Sequence, residues 1–197
     1  SCTNAFKIGT ETTFDISDVT VSNCRFFMTD IYPGTVSGIA IESADGAIVH
    51  HIKVQNISMN RVTCPVFIRL CNRNRASTVD SFSANAVEFG KRKKRASSAA
   101  KDRFHQKGSI YAVDISDVTA ENIEIPVIIA GYKQNEKSFY VSDVTLKNFN
   151  LQYAPYKEVY DKRRFIPEYV DVYPESWRFR NLPAYALWAR HVKGLKL

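Results

Sequence analysis

The chain has 197 residues, of which 45% are hydrophobic and 24% charged, which is ordinary globular composition with enough apolar residues for one substantial core. Its runs of apolar residues stay shorter than the roughly 18 that a membrane-spanning helix needs, so no membrane partner is expected. The net charge of +7 fits a solvated basic surface as well as a surface that binds polyanions.

Two kinds of short strand alternate along the chain. The first kind carries an Asn after alternating apolar residues, and its four copies are residues 15–26, 49–59, 115–125 and 141–151. The second kind is shorter, and its copies are residues 5–8, 38–41, 65–68, 126–129 and 184–187. Alternation of apolar residues is the period of a strand. Because both kinds recur every few tens of residues, the pattern predicts a solenoid of about five coils.

Stacking of like strands in parallel would place equivalent residues in columns. The pattern predicts one interior column formed by Cys24, Ile57, Ile123 and Phe149. It also predicts a corner column formed by Asn23, Asn56, Asn122 and Asn148. Asn tolerates left-handed backbone, and its amide can bond to the amides above and below it. We therefore interpret these asparagines as structural rather than catalytic.

Histidine and cysteine residues do not predict a metal site. His50 and His51 are adjacent on a predicted strand, so their side chains are expected to point to opposite faces and to be solvated. The four cysteines fit no zinc spacing. Cys64 and Cys71 bracket a predicted strand that is too long for a disulfide between them. We expect buried free cysteines, no metal and no cofactor.

Two stretches lack the strand pattern. Residues 75–107 contain the basic run 91–95 and are predicted to be a loop inserted on one face of the solenoid. The run fits a solvated loop or, alternatively, an arm that binds polyanions; without stacking aromatic residues or a known module, no nucleic-acid partner is expected. Residues 152–183 are rich in Tyr, Pro and charge, and are predicted to form an irregular excursion that folds back over the coils.

Five segments spread over nearly the whole chain carry a resemblance to a known family, namely residues 4–11, 38–46, 65–70, 173–175 and 182–194. They are similar to glycoside hydrolase family 28, the polygalacturonase and rhamnogalacturonan hydrolase family. The resemblance implies an all-β, right-handed parallel β-helix that hydrolyses pectic polysaccharide or oligogalacturonide with inversion. It also implies a secreted or periplasmic protein, although no signal peptide is visible. Both chain ends fall inside strand repeats, so we expect a single β-helix domain that is the C-terminal portion of a larger one.

This sequence departs from the family at its functional motifs. Inverting hydrolysis needs a protonated carboxyl group and carboxylates that activate water, yet the family's Asn-Thr-Asp and Asp-Asp motifs are absent. We therefore expect the catalytic residues upstream of Ser1 and an inactive isolated chain. The family's Gly-His-Gly motif falls at 3–5, where Asn4 replaces the histidine, and its Arg-Ile-Lys motif at 40–42, where Glu42 replaces the lysine. Either the substrate differs from plain polygalacturonate or other cations bind its carboxylates.

Charged residues at strand ends are the candidate substrate ligands. Arg69 and Arg73 follow one short strand, and guanidinium groups bind carboxylates bidentately; a surface corner with incidental arginines is the alternative. Asp45 precedes a glycine and is interpreted mainly as a turn residue. The full candidate set is Lys7, Glu11, Glu42, Asp45, Arg69, Asn72 and Arg73. Their crowding near one pair of strand columns favours a glycosidase over a non-catalytic, carbohydrate-binding or structural β-helix. A calcium-dependent pectate lyase lacks support, because no carboxylate group suits Ca²⁺.

Overall fold

The computed structural model describes residues 3–28, 36–73, 107–155 and 165–197. The strands are β1 (Phe6–Ile8), β2 (Ile16–Phe27), β3 (Ser37–Ser43), β4 (Ile48–Asn60), β5 (Cys64–Leu70), β6 (Ser109–Ile123), β7 (Val127–Ala130), β8 (Tyr132–Gln134), β9 (Lys137–Phe139), β10 (Val141–Tyr153), β11 (Leu187–Arg190) and β12 (Val192–Lys196). A short 3-10 helix covers Ser176–Phe179. Within the described residues no helix is long and apolar enough to cross a membrane.

The strands form two parallel sheets, and the chain alternates between them. The first sheet has the order β1-β3-β5-β7-β11, and the second has the order β12-β10-β6-β4-β2. Every neighbouring pair in both sheets is parallel. An antiparallel hairpin, β8-β9, lies between β7 and β10 in the chain. The prediction of an all-β fold in which like strands stack in parallel is confirmed.

The first sheet places like residues in columns. One column runs through Ile8, Ile41, Ile68 and Ile129, all of which are buried. Side chains from both sheets belong to the same apolar cluster. Burying one such side chain stabilises the fold by about 1.5–3 kcal/mol, so each strand adds to one continuous core.

The long strands of the second sheet bend at residues with left-handed backbone. One corner column contains Asp18, His51, Ala112, Asp143 and Gly194, and the other contains Asn23, Asn56, Asp117 and Asn148, all with positive φ. Asn and Asp tolerate this conformation better than other residues with a Cβ. In the second column Asn56 Nδ2 donates a hydrogen bond of 2.6 Å to Asn23 Oδ1, and Asn148 Nδ2 donates one of 2.8 Å to Asp117 Oδ1. The predicted column is confirmed for Asn23, Asn56 and Asn148, but its third member is Asp117 and not Asn122, whose Nδ2 donates instead to Asn60 Oδ1 at 3.2 Å.

The third copy of the Asn-bearing strand, which lies in β6, is aligned five residues away from its predicted position. Val118, not Ile123, lies opposite both Ile57 and Phe149, so the column is Cys24, Ile57, Val118 and Phe149. Ile123 is buried but pairs with Tyr153. The Ile-Ser-Asp-Val-Thr sequence of β6 occupies the second corner, whereas the similar sequences of β2 and β10 occupy the first. Because Asp fits either left-handed corner, shared residue types do not determine which corner they form.

The last short strand also begins later than predicted. The expected strand 184–187 is instead Leu187–Arg190, with Leu187 opposite Val127 and Ala189 opposite Ile129. The prediction placed Tyr185 opposite Val127, so the pairing with β7 is shifted by two residues. A strand has a period of two, so this shift keeps the same side chains inward and the apolar pattern cannot distinguish the two pairings.

His50 and His51 do not point to opposite faces as predicted. His51 lies at the first left-handed corner, so strand alternation does not hold there. The two Nδ1 atoms are 2.8 Å apart, and the ring of His50 stacks on Tyr111 with centroids 4.9 Å apart. Both imidazoles are surface groups, His50 partly buried and His51 exposed.

The segment 165–182 covers the outer face of the first sheet. The ring of Phe179 lies 5.8 Å from that of Phe67, and both are buried with Ile128 in a second apolar cluster. The central strands of this sheet are consequently buried on both faces, which explains their nearly continuous apolar sequence. The predicted insertion 75–107 lies outside the described residues except for Lys107, and so do residues 156–164 of the predicted excursion.

The three cysteines in the described ranges, Cys24, Cys64 and Cys71, are free as predicted, but Cys24 is only partly buried and not fully buried as expected. Cys64 and Cys71 are buried at the two ends of β5. Burial raises the pKa of Cys64 and raises the pKa of Cys71 to about 11, so both remain protonated thiols at neutral pH.

Replacing Asn56 tests the corner column. We expect Asn56→Ala to lower the free energy of unfolding by about 1–2 kcal/mol, because left-handed backbone is unfavourable for Ala. Asn56→Gly should lose less, because Gly accepts positive φ. Urea unfolding measures both, with Lys53→Ala on the exposed face of the same strand as the control. Equal losses for the Ala and Gly variants would contradict a corner role.

Candidate functional site

Segments that are distant in the chain bring charged side chains together beside the first sheet. Lys7 in β1 lies opposite Ala40, and Glu42 is two positions further along β3, so both face the same side. Arg73 follows β5, and Tyr173 and Glu175 belong to the segment that covers the sheet. We name the charged cluster by its members: Lys7, Glu11, Glu42, Asp45, Arg73, Tyr173 and Glu175.

The ammonium group of Lys7 contacts two carboxylates. Its Nζ is 2.9 Å from Glu42 Oε2 and 3.8 Å from Glu175 Oε1. Thr10 Oγ1 donates a hydrogen bond of 2.5 Å to the same Glu42 oxygen. The side chain of Glu42 is fully buried, whereas those of Lys7 and Glu175 are each 17% exposed. Solvent and ligands therefore reach this part of the cluster at Lys7 and Glu175.

The backbone of Gly9 allows the close approach of β1 and β3 at this point. Its φ is 93°, and a Cβ at this position would overlap the backbone carbonyl of Glu42. The glycine is therefore required for Thr10 to reach the Glu42 carboxylate, since any larger residue would separate the two segments.

The guanidinium group of Arg73 pairs with Asp45. Nε donates to Asp45 Oδ1 at 3.1 Å and Nη2 donates to Asp45 Oδ2, a bidentate arrangement. The backbone N–H of Arg73 donates to Ala44 O at 2.9 Å, which joins it to the turn that carries Asp45. Glu11 Oε1 lies 3.7 Å from Nη1. Asp45 thus precedes the Gly46 turn, as predicted, and also serves as a carboxylate partner.

Tyr173 lies beside both cations of the cluster. Its ring centroid is 5.0 Å from Lys7 Nζ and 5.1 Å from the guanidinium carbon of Arg73. Lys7 Nζ also donates a hydrogen bond of 3.4 Å to the Tyr173 hydroxyl. Tyr173 is 40% exposed, so its ring offers an aromatic surface to solvent directly beside Lys7 and Arg73.

The cluster contains more acidic than basic groups. Burial raises the pKa of Glu42 against the opposing effect of Lys7 and Thr10, and burial likewise raises the pKa of Glu175. For Lys7, burial alone lowers the pKa, but the contact with Glu42 outweighs burial and the pKa is raised. As the pH falls, Glu42 and Glu175 therefore gain protons before ordinary glutamates do, while Lys7 keeps its charge.

Three buried polar atoms of the cluster have no hydrogen-bond partner among the described residues: Glu42 Oε1, Arg73 Nη1 and Glu175 Oε2. A buried polar atom left unpaired costs about 1–3 kcal/mol. Such atoms are uncommon in folded proteins, so the cluster carries an energetic cost that the rest of the fold must offset.

Arg69 is placed away from the charged cluster. Its side chain is fully buried and extends towards β7, where it donates to Gly131 O at 2.6 Å and Ala130 O at 3.4 Å. The other guanidinium nitrogen donates to Tyr169 O at 2.9 Å and to Glu168 O. Burial lowers the pKa of Arg69 to about 10, so it remains charged at neutral pH. The structure therefore assigns Arg69 to anchoring the segment 165–182 and not to contact with a substrate.

The remaining candidate, Asn72, lies next to this anchor. Its backbone N–H donates to Val170 O at 2.8 Å, and its side chain is partly buried. The structure thus brings together five of the predicted candidates: Lys7, Glu11, Glu42, Asp45 and Arg73. Tyr173 and Glu175 were not predicted as site residues. The sequence feature that could have indicated them is an aromatic residue two positions before a carboxylate, within an irregular segment that contains proline.

A second ion-pair group anchors the same segment to β11. Glu168 Oε1 is 3.1 Å from His191 Nε2 and 3.5 Å from Arg190 Nη1, and Glu168 Oε2 accepts a hydrogen bond of 2.9 Å from the Lys133 N–H. Burial alone raises the pKa of Glu168, but the His191 and Lys133 bonds outweigh it and the pKa is lowered. Because Arg190 also donates to two carbonyls of the segment, we interpret this group as structural.

Among the residues that the structure describes, no group of three or more His, Cys, Asp or Glu side chains is placed to hold a metal ion. Comparisons with protein-family models, with curated proteins and with solved structures give no match to this chain. A function for the charged cluster is therefore proposed from its own geometry and charge.

Removing the Arg69 anchor should destabilise the fold. We expect Arg69→Ala to lower the free energy of unfolding by about 3 kcal/mol or more, because several buried carbonyls lose their donor. Limited proteolysis should then cut within 165–182 sooner than in the parent. Arg25→Ala, an exposed arginine on β2, is the control and should change stability by less than about 0.5 kcal/mol. A loss below about 1 kcal/mol for Arg69→Ala would exclude this role.

The raised pKa of Glu42 predicts a pH-dependent effect of Glu42→Gln. Because the folded state favours the protonated carboxyl, the parent loses stability as the pH rises from below the ordinary glutamate value through the raised one. Gln has no proton to lose, so the variant should gain stability relative to the parent over that interval and then level off. Urea unfolding across a pH series measures the difference, with Glu121→Gln as an exposed control. A difference that stays constant, or moves the other way, would contradict the pKa direction.

Proposed function

We propose that this chain is part of a glycoside hydrolase of the family 28 type, which acts on pectic, galacturonate-containing polysaccharide by inverting hydrolysis. The observation that carries the proposal is the convergence of three of the resembling segments, residues 4–11, 38–46 and 173–175, at the charged cluster. Lys7, from the first, contacts Glu42 at 2.9 Å and Glu175 at 3.8 Å. These segments are far apart in the chain, resemble the same family and meet at one surface. This arrangement is expected of a shared binding site.

We further propose that the two sheets are faces of a right-handed parallel β-helix. The chain moves to the other sheet after each strand, apart from the β8-β9 hairpin, and returns to the adjacent position in the first. Parallel crossover connections are right-handed in about 98% of cases. The left-handed corner columns support this proposal, because a coil that repeats must turn at the same place each time.

The charged cluster suits a uronate substrate when Glu42 and Glu175 are protonated. The exposed ring of Tyr173 offers an apolar face on which the C–H face of a sugar ring can pack. When Glu42 and Glu175 take up protons, Lys7 loses both of its charged partners, whereas Arg73 remains paired with Asp45, so Lys7 becomes the cation that can attract a sugar carboxylate. An unburied uronate keeps its charge at a pH at which the buried Glu42 is already protonated, so binding should tighten as the pH falls.

Glu42 and Glu175 themselves are not arranged as an acid and base pair. An inverting glycosidase separates its two carboxyl groups by about 6.5–9.5 Å to hold the scissile bond and a water molecule. Here the Lys7 ammonium occupies the space between them, and the Glu42 side chain is fully buried. We therefore propose that the catalytic carboxyl groups lie outside the charged cluster, which contributes substrate binding.

A non-catalytic β-helix that binds carbohydrate or serves as a structural element is the second candidate. One observation favours it: Lys7 and Arg73 already have carboxylate partners, Glu42 and Asp45, as in an ion network that stabilises the fold. This candidate and the first differ in whether the whole protein cleaves the polymer it binds.

Binding of trigalacturonate tests the proposal. We expect Tyr173→Ala to weaken binding at least about tenfold, the equivalent of about 1.4 kcal/mol, because the aromatic face and both cation contacts are lost. Calorimetric titrations at pH 5 and pH 7 should show tighter binding to the parent at the lower pH. Tyr111→Ala is the matched control, since Tyr111 is an outward tyrosine on the second sheet.

Two results would overturn this function. Equal weakening by Tyr173→Ala and Tyr111→Ala would show that the cluster is not the binding site. The isolated chain should also release no reducing ends from polygalacturonate. Release that disappears in Glu42→Gln would show that the cluster supplies the catalytic acid after all.

A further inference from the structure

A cleft lies at the other ends of the strands of the first sheet, away from the charged cluster. The charged cluster surrounds the carboxyl ends of β1, β3 and β5, whereas this cleft lies before β7 and β11. Its walls are residues 124–126, 153–155 and 181–185, and its volume is about 560 Å³. Small-molecule sites typically measure about 300–1,000 Å³, so the cleft is large enough for a ligand.

Backbone hydrogen bonds hold all three walls in place. Ala154 N–H donates to Ile123 O at 2.8 Å, and Ile125 N–H donates to Thr63 O at 2.9 Å. Val127 N–H donates to Ala186 O at 3.1 Å, which joins the first and third walls. The cleft is therefore preformed, and a ligand would not have to order its walls on binding.

Two tyrosine rings form the aromatic part of the cleft. The centroids of Tyr153 and Tyr185 are 4.4 Å apart, with the ring planes inclined by 42°. Tyr153 OH donates a hydrogen bond of 3.3 Å to Ala186 O, which fixes that ring. Tyr185 is 73% exposed above a buried floor of Ile125 and Leu182. An exposed tyrosine beside a buried apolar floor offers a face for the C–H side of a ligand ring.

The polar groups of the cleft favour a ligand that has hydroxyls and no negative charge. Among the described lining residues, Glu124 is the only one with a carboxylate or a cationic side chain. Its carboxylate accepts hydrogen bonds from hydroxyls but repels an anion. Asn181, on the opposite wall, carries an amide that can both donate and accept.

We propose that this cleft binds an uncharged saccharide unit, with its apolar ring face on Tyr185 and its hydroxyls towards Glu124 and Asn181. The identity of the polymer rests on the proposed function: in pectic polysaccharide such a unit is a methyl-esterified galacturonate. The molecule would then have two sites of opposite preference, the charged cluster for the free acid and the cleft for the ester.

The experiment compares methyl-esterified trigalacturonate with the unesterified trimer, which differ in charge at the same sugar. Titrations use Tyr173→Ala as the background, so that the charged cluster contributes little. We expect the esterified trimer to bind this protein more tightly than the free acid. Adding Tyr185→Ala should weaken that binding at least about tenfold, whereas Tyr185→Phe should retain it. Trp177→Ala removes an aromatic residue of 44% exposure outside the cleft and is the control.

Glu124→Gln gives an independent arm. It should reduce the preference for the esterified trimer, because the repulsion of the free acid is removed. Unchanged binding in Tyr185→Ala, tighter binding of the free acid to the Tyr173→Ala protein, or no binding of the ester would each overturn the proposal. The charged cluster is tested separately by the effect of Tyr173→Ala on the unesterified trimer, so failure at one site does not imply failure at the other.

Discussion

Left-handed corners that repeat in register are the constraint on which the rest of the structure depends. Positive φ is unfavourable for most residues with a Cβ, and the corner columns of the second sheet are built from Asn, Asp, His and Gly, with Ala112 as the exception. Asn23, Asn56, Asp117 and Asn148 lie at equivalent positions of one such column. Because every strand bends at the same place, the two sheets keep their register. The isoleucines then stack, and the strand ends that carry Lys7 and Glu42 come together.

Buried cations extend this framework to an irregular segment. Arg69 and Arg190 both donate to backbone carbonyls of residues 166–169, so a stretch without strand partners still has its carbonyls satisfied. An arginine suits this role because its planar group has five donors and keeps its charge when buried. The anchored segment covers the first sheet with Phe179 and delivers Tyr173 and Glu175 to Lys7. Stability and the candidate site therefore depend on the same arginine contacts.

The two ends of the first sheet differ in their chemistry. At the carboxyl ends of the strands, four carboxyl groups face two cations, so the local charge follows the protonation of Glu42 and Glu175. At the amino ends, tyrosine rings and a single carboxylate, Glu124, surround an apolar floor. A parallel sheet separates its strand ends in this way by geometry, since all carboxyl ends lie at one edge. One fold can thus present an ionisable surface and a largely apolar one without interference between them.

The sequence by itself determined the two kinds of strand and their parallel stacking, because apolar alternation is a local property that repeats with the coil. It also singled out most of the charged cluster, since those residues lie at equivalent strand ends. Only the tertiary structure decided that Asp117 occupies the second corner, because Asp fits both corners equally well. Only the tertiary structure directed Arg69 to backbone carbonyls and brought Glu175 to Lys7. Those contacts join segments that no local pattern relates, and the direction of a long side chain is decided by the partners that surround it.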